Sequence, residues 1–216
     1  PKLEKFGDRY YLYYISSRSG PTRWHIRHSQ RTGVAVAQTI EGTYEPLAAP
    51  VAEPSAPVFN VAVNPGVVQT PDGRYLMILK GDIEPRRPDE PMPRRIQGMA
   101  LADSPTGPFR ILPEPAISDI DTEDASIWRD AARGLYYAIF HAHTYLGLIV
   151  SPDGRRWSRA AHYVVTDKRL RLADGSIFEA ERLERPFVFF EDGRPRLLCM
   201  AAKRGSDSYC LLAPLA

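Results

Sequence analysis

Short apolar runs separated by polar turns recur along the whole chain. Four segments share one design, an apolar run, a polar turn and a second apolar run: PKLEKFGDRYYLYYIS (1–16), NPGVVQTPDGRYLMILKG (64–81), EDASIWRDAARGLYYAIFH (123–141) and ERPFVFFEDGRPRLLCMAAK (184–203). Most of the turns pair Gly with Asp, and the runs are rich in Tyr, Val, Ile and Phe, which are typical of hairpins and strands. The pattern predicts four β-hairpins at intervals of about 60 residues.

A third apolar run follows each hairpin. These runs are TGVAVAQT (32–39), QGMALADS (97–104), YLGLIVSP (145–152) and SYCLLAPL (208–215). Three strands and a fourth, repeated at a fixed period with no helical pattern between them, predict the blades of a β-propeller. A β-sandwich would explain many short strands but not the fixed period.

The repeats divide one β-propeller domain, residues 1–216, into units at about 1–63, 64–122, 123–183 and 184–216. The last unit, 184–216, stops after its third strand. The unit at 1–63 begins directly with the first strand of a blade. A four-bladed ring could close only with an open edge. A five-bladed ring that lacks its N-terminal blade explains both ends. We therefore expect an all-β, five-bladed propeller, truncated at its N-terminus, with about four blades present.

Polar residues flank the apolar strands at equivalent places in the units. In a propeller the first strand of each blade runs along the central channel and the second runs back, so first-strand starts and second-strand ends share one face. These positions hold Asn64, Glu123, Asp124, Glu184 and Arg185 at the starts, and Ser16, Ser17, Lys80, His141 and Lys203 at the ends. The register therefore predicts a polar site at the mouth of the channel.

Composition limits the partners of such a site. The net charge is +2, and the Lys and Arg residues form no basic stripe, so we do not expect a nucleic acid partner. No apolar run is long enough to cross a bilayer, so we expect no membrane partner. Four cationic side chains near the channel favour acidic groups on a substrate, unless they pair with the nearby carboxylates: Lys80, His141, Arg185 and Lys203.

The motifs at the unit starts resemble a known group of enzymes. GDRYYLYY (7–14), NP followed by DGRYL (64–76), and the E-x-[P/A] motifs EDA (123–125) and ERP (184–186) are similar to those of five-bladed propeller glycoside hydrolases, in particular families 43 and 117 and their clan. The resemblance covers essentially the whole chain. It implies an enzyme of polysaccharide degradation, typically bacterial, that is secreted or periplasmic.

The resemblance also implies roles for individual residues. In that group a first-blade Asp is the general base, an Asp before a Pro in the third blade tunes the acid, and a Glu two residues before a Pro in the next blade is the acid. VNP (63–65) and EDA (123–125) then place Asn64 at the tuning position and Glu123 at the acid, with Ala125 in place of the Pro. The base would lie in the missing N-terminal segment. Family 117 offers a His as the acid, for which His141 and His143 are candidates.

Glu123 and Asp124 are adjacent on one predicted strand. Since neighbouring strand residues point to opposite sides, we expect only one of them to face the channel. We assign Glu123 to the chemistry and leave Asp124 a structural or charge-tuning role. The candidate catalytic residues are thus Glu123, Asp124 and His141, and the candidate substrate-binding residues are Asn64, Lys80, His143, Glu184, Arg185, Lys203 and Trp24, the last stacking on a sugar ring or packing at a blade edge.

The resemblance thus implies a glycoside hydrolase that acts on a poly- or oligosaccharide through carboxylate acid and base groups, and it implies inversion. Two alternatives remain: a non-catalytic glycan-binding propeller, and a glycoside phosphorylase that uses Lys and Arg to bind phosphate. His141 and His143 are two residues apart, but no third ligand has a metal-site spacing. We therefore expect no tightly bound cofactor, although the channel could hold a loosely bound cation.

Two local features have structural interpretations. Cys199 and Cys210 stand almost symmetrically about the turn KRGSD (203–207), either as two buried thiols or as a cross-strand disulfide. SPDGRRW (151–157) is similar to a sialidase Asp-box but differs in spacing. We interpret it as a turn after a third strand, with Trp157 packing between blades.

Overall fold

A computed structural model describes residues 1–215 of the chain. It is 58% strand and 3% helix, which confirms the all-β prediction. The strands are β1 (Lys2–Phe6), β2 (Arg9–Ser16), β3 (Arg31–Ala37), β4 (Glu45–Pro46), β5 (Phe59–Gln69), β6 (Tyr75–Asp82), β7 (Arg95–Ala102), β8 (Arg110–Ile111), β9 (Glu123–Asp130), β10 (Leu135–Ala142), β11 (Tyr145–Ser151), β12 (Ser158–Asp167), β13 (Arg169–Arg171), β14 (Ile177–Glu179), β15 (Arg182–Glu191), β16 (Arg194–Arg204) and β17 (Asp207–Pro214).

The strands form four antiparallel groups in chain order. The first sheet is β1–β4, the second β5–β8, the third β9–β12 and the fourth β15–β17. The hairpin β13–β14 lies between the third and fourth sheets in the chain. One parallel pairing, between Arg31 and Ala62, joins the first two sheets at their edges. Each predicted hairpin is therefore the first two strands of one sheet, because the turn chemistry and the alternating pattern are local signals.

Apolar layers hold consecutive sheets together. Tyr13 and Leu79 belong to a cluster shared by the first and second sheets, Ile78 and Phe140 to a cluster shared by the second and third, and Leu146 with Met200 to one shared by the third and fourth. Neighbouring β6 residues such as Ile78 and Leu79 enter different clusters because alternate side chains point to opposite faces. Each inner sheet is thus buried on both faces.

The first strands of the sheets lie around a common cavity of about 560 Å³. Its lining includes residues of β1, β5, β9 and β15, and we call it the axial cavity. The strands β5 and β9 approach closely, since a Cβ on Gly66 would lie 2.9 Å from the carbonyl oxygen of Ala125. The sequence therefore uses glycine where a side chain would separate the two strands.

Several details differ from the expectation or add to it. A short helix, α1 (Arg23–His28), lies between β2 and β3, where no helical pattern was expected, and the Thr22 side chain caps it by accepting a hydrogen bond from the His25 N–H. β5 begins at Phe59 and β15 at Arg182, ahead of the unit boundaries at 64 and 184. Each consecutive pair of sheets shares an apolar cluster, but within residues 1–215 no such cluster joins the first sheet to the fourth, so the packing does not close into a ring.

The outer face of the fourth sheet is apolar and uncovered. Phe187 pairs with Cys199, and Cys199 pairs with Leu212, so these side chains share one face. Leu212 and Phe189 are 62% and 46% exposed. Neither reading of the cysteines is correct, because both are free thiols, Cys199 half-buried and Cys210 exposed.

The turn at residues 151–157 has the structural role expected of it. Asp153 Oδ1 accepts hydrogen bonds from the backbone N–H groups of Arg155 and Arg156. Trp157 packs against the cluster between the second and third sheets, which confirms its predicted place. Among the described residues no helix has the length and apolarity needed to span a membrane.

Candidate active site

Three successive first strands carry a polar residue in the left-handed backbone region at the same place. Asn64 on β5, Asp124 on β9 and Arg185 on β15 have φ values of +52°, +61° and +53°. The strand register is shifted next to each of them, as at a β-bulge. Positive φ is uncommon for residues other than glycine, and such strain clusters at functional sites. All three residues line the axial cavity.

Asp124 is the one carboxyl group among the described residues that line the axial cavity. It is 8% exposed, and the Asn64 side-chain amide donates a hydrogen bond of 2.5 Å to Asp124 Oδ1. Burial, and then the neighbouring charge of Glu123, raises the pKa of Asp124 above its usual value. The second carboxyl oxygen has no hydrogen-bond partner among residues 1–215, so it could hold a proton that is available to a ligand.

Glu123 has the opposite environment. Its two oxygens are engaged by cations, Oε2 by the Lys80 ammonium at 3.2 Å and Oε1 by the Arg95 guanidinium. Burial alone would raise the pKa of Glu123, but the charges of Lys80 and Arg95 outweigh it and hold that pKa below its usual value. Glu123 is therefore an ionised, structurally fixed carboxylate.

As expected, only one of these two acids is among the described residues that line the axial cavity, but it is Asp124 rather than Glu123, and their carboxyl groups still lie close together. One oxygen each of Glu123 and Asp124 and one ring nitrogen of His141 lie within 4.8 Å of one another. Strict alternation would send adjacent side chains to opposite sides, but the left-handed backbone at Asp124 breaks it. The two carboxyl groups thus interact, and one raises the pKa of the other.

His141 lies beside this pair at the end of β10. It is 3% exposed, and its Nδ1 stands 4.0 Å from Glu123 Oε1 with no hydrogen-bond partner among the described residues. Burial lowers the pKa of His141, so the ring is neutral near pH 7. The three groups could approach a cation, yet both oxygens of Glu123 already contact Lys80 and Arg95.

A charge network extends from Glu123 towards solvent. Arg95 bridges Glu123 and Asp121, and Asp121 Oδ2 lies 2.5 Å from His143 Nε2. Arg95 and Asp121 were not among the predicted site residues. Arg95 is the first residue of β7 and Asp121 lies two residues before β9, so neither stands at a predicted first-strand start or second-strand end. Arg95 follows a segment rich in Arg, and this composition alone did not distinguish it from the other Arg residues there. His143 is half-exposed and belongs to this outer network rather than to the axial cavity.

The remaining predicted residues lie at different distances from the cavity. Glu184 is half-buried, pairs with Arg182 at 2.7 Å, and its charge acts on His141. Lys203 is exposed at the end of β16, and no side-chain contact among residues 1–215 joins it to the network. Trp24 stacks on His28 within α1, with ring centroids 4.2 Å apart, and does not line the axial cavity.

Two cations line the axial cavity beside Asp124. The Lys2 ammonium donates to the Ala125 carbonyl oxygen at 2.5 Å, and burial lowers the pKa of Lys2 to about 8. Arg185 is exposed and forms no ion pair or side-chain hydrogen bond with any residue of 1–215. The lining therefore includes the charged and amide side chains of Lys2, Asn64, Asp124 and Arg185.

Comparison with known proteins bears on the fold. No family model and no curated protein matches the sequence. Among solved structures, an exo-β-1,3-galactanase from Phanerochaete chrysosporium, solved with β-1,3-galactotriose, matches with a TM-score of 0.59 at 13% identity over 98% of this chain and 46% of its own. A β-xylosidase matches with a TM-score of 0.62 at 16% identity over 95% of this chain and 74% of its own. A family 32 β-fructofuranosidase from Bombyx mori matches with a TM-score of 0.65 at 16% identity over 99% of this chain and 45% of its own.

The chain has the fold of the five-bladed propeller glycosidases. This confirms the resemblance that the motifs at the unit starts indicated. The chain spans about half the length of the galactanase and of the β-fructofuranosidase, 46% and 45%. Within this propeller fold the axial cavity is the place where residues from four successive sheets meet.

Proposed function

We propose that the protein is a glycoside hydrolase in which Asp124 is the general acid and Glu123 is the carboxylate that tunes it. The observation that carries this proposal is the pair of opposite environments: a buried Asp124 with a raised pKa, and Glu123 held ionised by Lys80 and Arg95. A general acid must carry a proton at the working pH. Two carboxyl groups whose pKa values are driven apart supply this division of roles.

This proposal exchanges the roles that the sequence suggested for the two acids. Glu123 is poorly suited to donate a proton, because two cations stabilise its ionised form. The tuning function expected of Asn64 divides into two parts. Asn64 orients Asp124 through its amide, while Glu123 provides the negative charge that an Asn cannot.

Hydrolysis also needs a carboxylate on the opposite side of the sugar. Inverting glycosidases place it about 6.5–9.5 Å from the acid. Glu123 is too close to Asp124, comes from the same strand, and is engaged by cations. Among the described residues that line the axial cavity, Asp124 is the single carboxylate. An inverting mechanism would therefore require a further carboxylate, brought by a part of the ring beyond these four sheets.

We propose that a fifth sheet fills the gap between the first and fourth sheets and completes a five-bladed ring. The support is the uncovered apolar face of the fourth sheet, which includes Phe189 and Leu212 at 46% and 62% exposure. The inner sheets bury their corresponding faces against a neighbour. The first strands of the two flanking sheets, β1 and β15, both line the axial cavity, so a fifth sheet between them would also reach the sugar.

A non-catalytic glycan-binding propeller is the second candidate. It is favoured by one observation, namely that the described cavity lining contains a single carboxylate. A glycoside phosphorylase has less support, because Lys80, one of the cations expected to bind phosphate, is paired with Glu123.

The test is turnover of a panel of neutral and acidic oligosaccharides by the protein and by two isosteric variants. Asp124→Asn should reduce kcat about 10²–10⁴-fold, the range for loss of a general acid. Glu123→Gln should retain more activity, because it changes the tuning charge and leaves the proton donor.

No turnover of any sugar by the unaltered protein, with sugar binding intact, would favour the binding propeller. A larger loss in Glu123→Gln than in Asp124→Asn would return the acid role to Glu123. Turnover that requires added phosphate would identify a phosphorylase.

A further inference from the structure

Arg185 differs from the other cations near the site in having no partner. Lys80 and Arg95 both contact Glu123, and Arg95 also contacts Asp121. Lys2 donates to a backbone carbonyl oxygen. Arg185 makes no hydrogen bond or ion pair through its side chain within residues 1–215, although it lines the axial cavity with Asp124.

The backbone fixes the position of Arg185 at some cost. Its φ of +53° is unusual for a residue with a long side chain, and the β15–β16 register shifts between Glu184 and Phe187. The equivalent residues on β5 and β9, Asn64 and Asp124, contact each other at the cavity floor. The bulge thus presents Arg185 from the neighbouring sheet to the same cavity, close enough for its charge to act on Asp124 without forming an ion pair with it.

The charge balance of the cavity lining favours an anion. Lys2 and Arg185 carry positive charge, whereas Asp124 is the carboxylate of the described lining. When Asp124 holds its proton, as a general acid must, none of the described residues that line the cavity carries a negative charge to match the Arg185 guanidinium. A planar guanidinium binds a carboxylate with two parallel hydrogen bonds, which adds both energy and orientation.

We propose that Arg185 binds the carboxylate of an acidic sugar in the axial cavity, so that the ligand is an oligosaccharide containing a uronic acid. This inference rests on the proposed function, because it takes the axial cavity as the sugar site. It makes Arg185 a specificity residue, which separates acidic sugars from neutral sugars of the same shape. Neither Lys80 nor Lys203 has this role, since Lys80 is paired and Lys203 lies outside the cavity lining.

The experiment compares binding of uronic-acid oligosaccharides with binding of their neutral counterparts by calorimetry. Arg185→Gln should weaken binding of the acidic sugars about 10–100-fold, as expected for loss of a hydrogen bond to a charged group, and leave neutral sugars unchanged. Arg155→Gln is the matched control, because Arg155 is also exposed and its side chain has no ion pair, but it lies on the 151–157 turn away from the axial cavity.

Several results would overturn the inference. Equal affinity for acidic and neutral sugars would do so, as would a loss in Arg185→Gln that is the same for both. Inorganic phosphate or a sulfated sugar that binds as tightly as the uronic acid, in an Arg185-dependent way, would identify a different anion.

Turnover of the same compounds is measured in parallel. Arg185-dependent binding without turnover would contradict only the hydrolase proposal. Turnover of neutral and acidic sugars at equal rates, in the unaltered protein and in Arg185→Gln alike, would contradict only the acidic-sugar inference.

Discussion

At the scale of single residues, two adjacent carboxyl groups acquire different chemistry from their surroundings. Glu123 and Asp124 share one strand, yet only Glu123 meets Lys80 and Arg95, while Asp124 meets an uncharged amide. The charges of Glu123 and Lys80 act on Asp124 with opposite sign, Glu123 raising its pKa and Lys80 lowering it. Replacing either neighbour should therefore shift the pKa of Asp124 in a known direction.

Glu123→Gln and Lys80→Met should shift the pH dependence of kcat/KM in opposite directions. The alkaline limb reports the pKa of the essential acid in the free enzyme. Glu123→Gln removes a like charge, so the pKa of Asp124 falls and the limb moves to lower pH. Lys80→Met removes an opposite charge, so the pKa rises and the limb moves to higher pH. We expect shifts of about one pH unit, equivalent to ~1.4 kcal/mol each. Arg155→Gln should leave the limb in place, and shifts of the same sign in both site variants would refute the assignment.

The sequence predicted the members of this site better than their geometry. Lys80 and His141 could be placed at strand ends, because turn residues and alternation are local properties. The left-handed backbone at Asp124 could not be foreseen, since a bulge depends on how β9 and β10 register with each other. The roles of Glu123 and Asp124 followed from that bulge and from Arg95, whose contact depends on the path of a long loop.

At the scale of elements, the site depends on the close packing of β5 against β9. The Asn64–Asp124 hydrogen bond joins these two strands, and Gly66 allows them to approach. The short distance between β5 and β9 therefore brings Asn64 and Asp124 together at the cavity.

Gly66→Ala should therefore damage both stability and function. Its Cβ would lie 2.9 Å from the Ala125 carbonyl oxygen, so β5 and β9 must separate. We expect a loss of about 1–3 kcal/mol in the free energy of unfolding, typical of overpacking, and a fall in kcat/KM as Asn64 moves from Asp124. Chemical denaturation and steady-state kinetics measure the two effects.

Gly193→Ala is the control for this substitution. Gly193 has φ +72° and open space around its Cβ position, in the turn before β16. The variant should lose stability through backbone strain, about 1–2 kcal/mol, with kcat/KM unchanged. A Gly66→Ala protein that is destabilised but keeps full kcat/KM would show that the β5–β9 contact does not position the acid.

At the scale of the whole molecule, the repeat pattern predicted the sheets but not how the ring closes. The hairpin at the start of each sheet is predicted by residues close together in the sequence. Closure of the ring depends instead on contacts between residues that are far apart in the sequence. The fourth sheet shows the consequence, because its outer face carries Phe189 and Leu212 without a covering layer. Apolar faces of this kind are usually buried against a partner.

The reactivity of the two cysteine thiols on that face can test whether a fifth sheet covers it. Cys199 pairs with Leu212, and Cys210 is exposed on the same face. In the 216-residue chain alone, Cys210 should react quickly with a thiol reagent. In a chain extended by about one repeat length at either end, both thiols should react much more slowly in the native state. Denatured samples of each chain provide the control for total thiol. Equal native-state rates in all the chains would contradict closure over the fourth sheet.

The most direct measurement for the whole account is the titration of the Asp124 carboxyl group by carbon-13 NMR. Asp124→Asn identifies the signal by its disappearance. The account predicts a pKa above the usual value for aspartate, which decreases when Glu123 is replaced by Gln. A carboxyl group that titrates at or below the usual aspartate value, and does not respond to Glu123, would contradict Asp124 as the proton donor of this propeller.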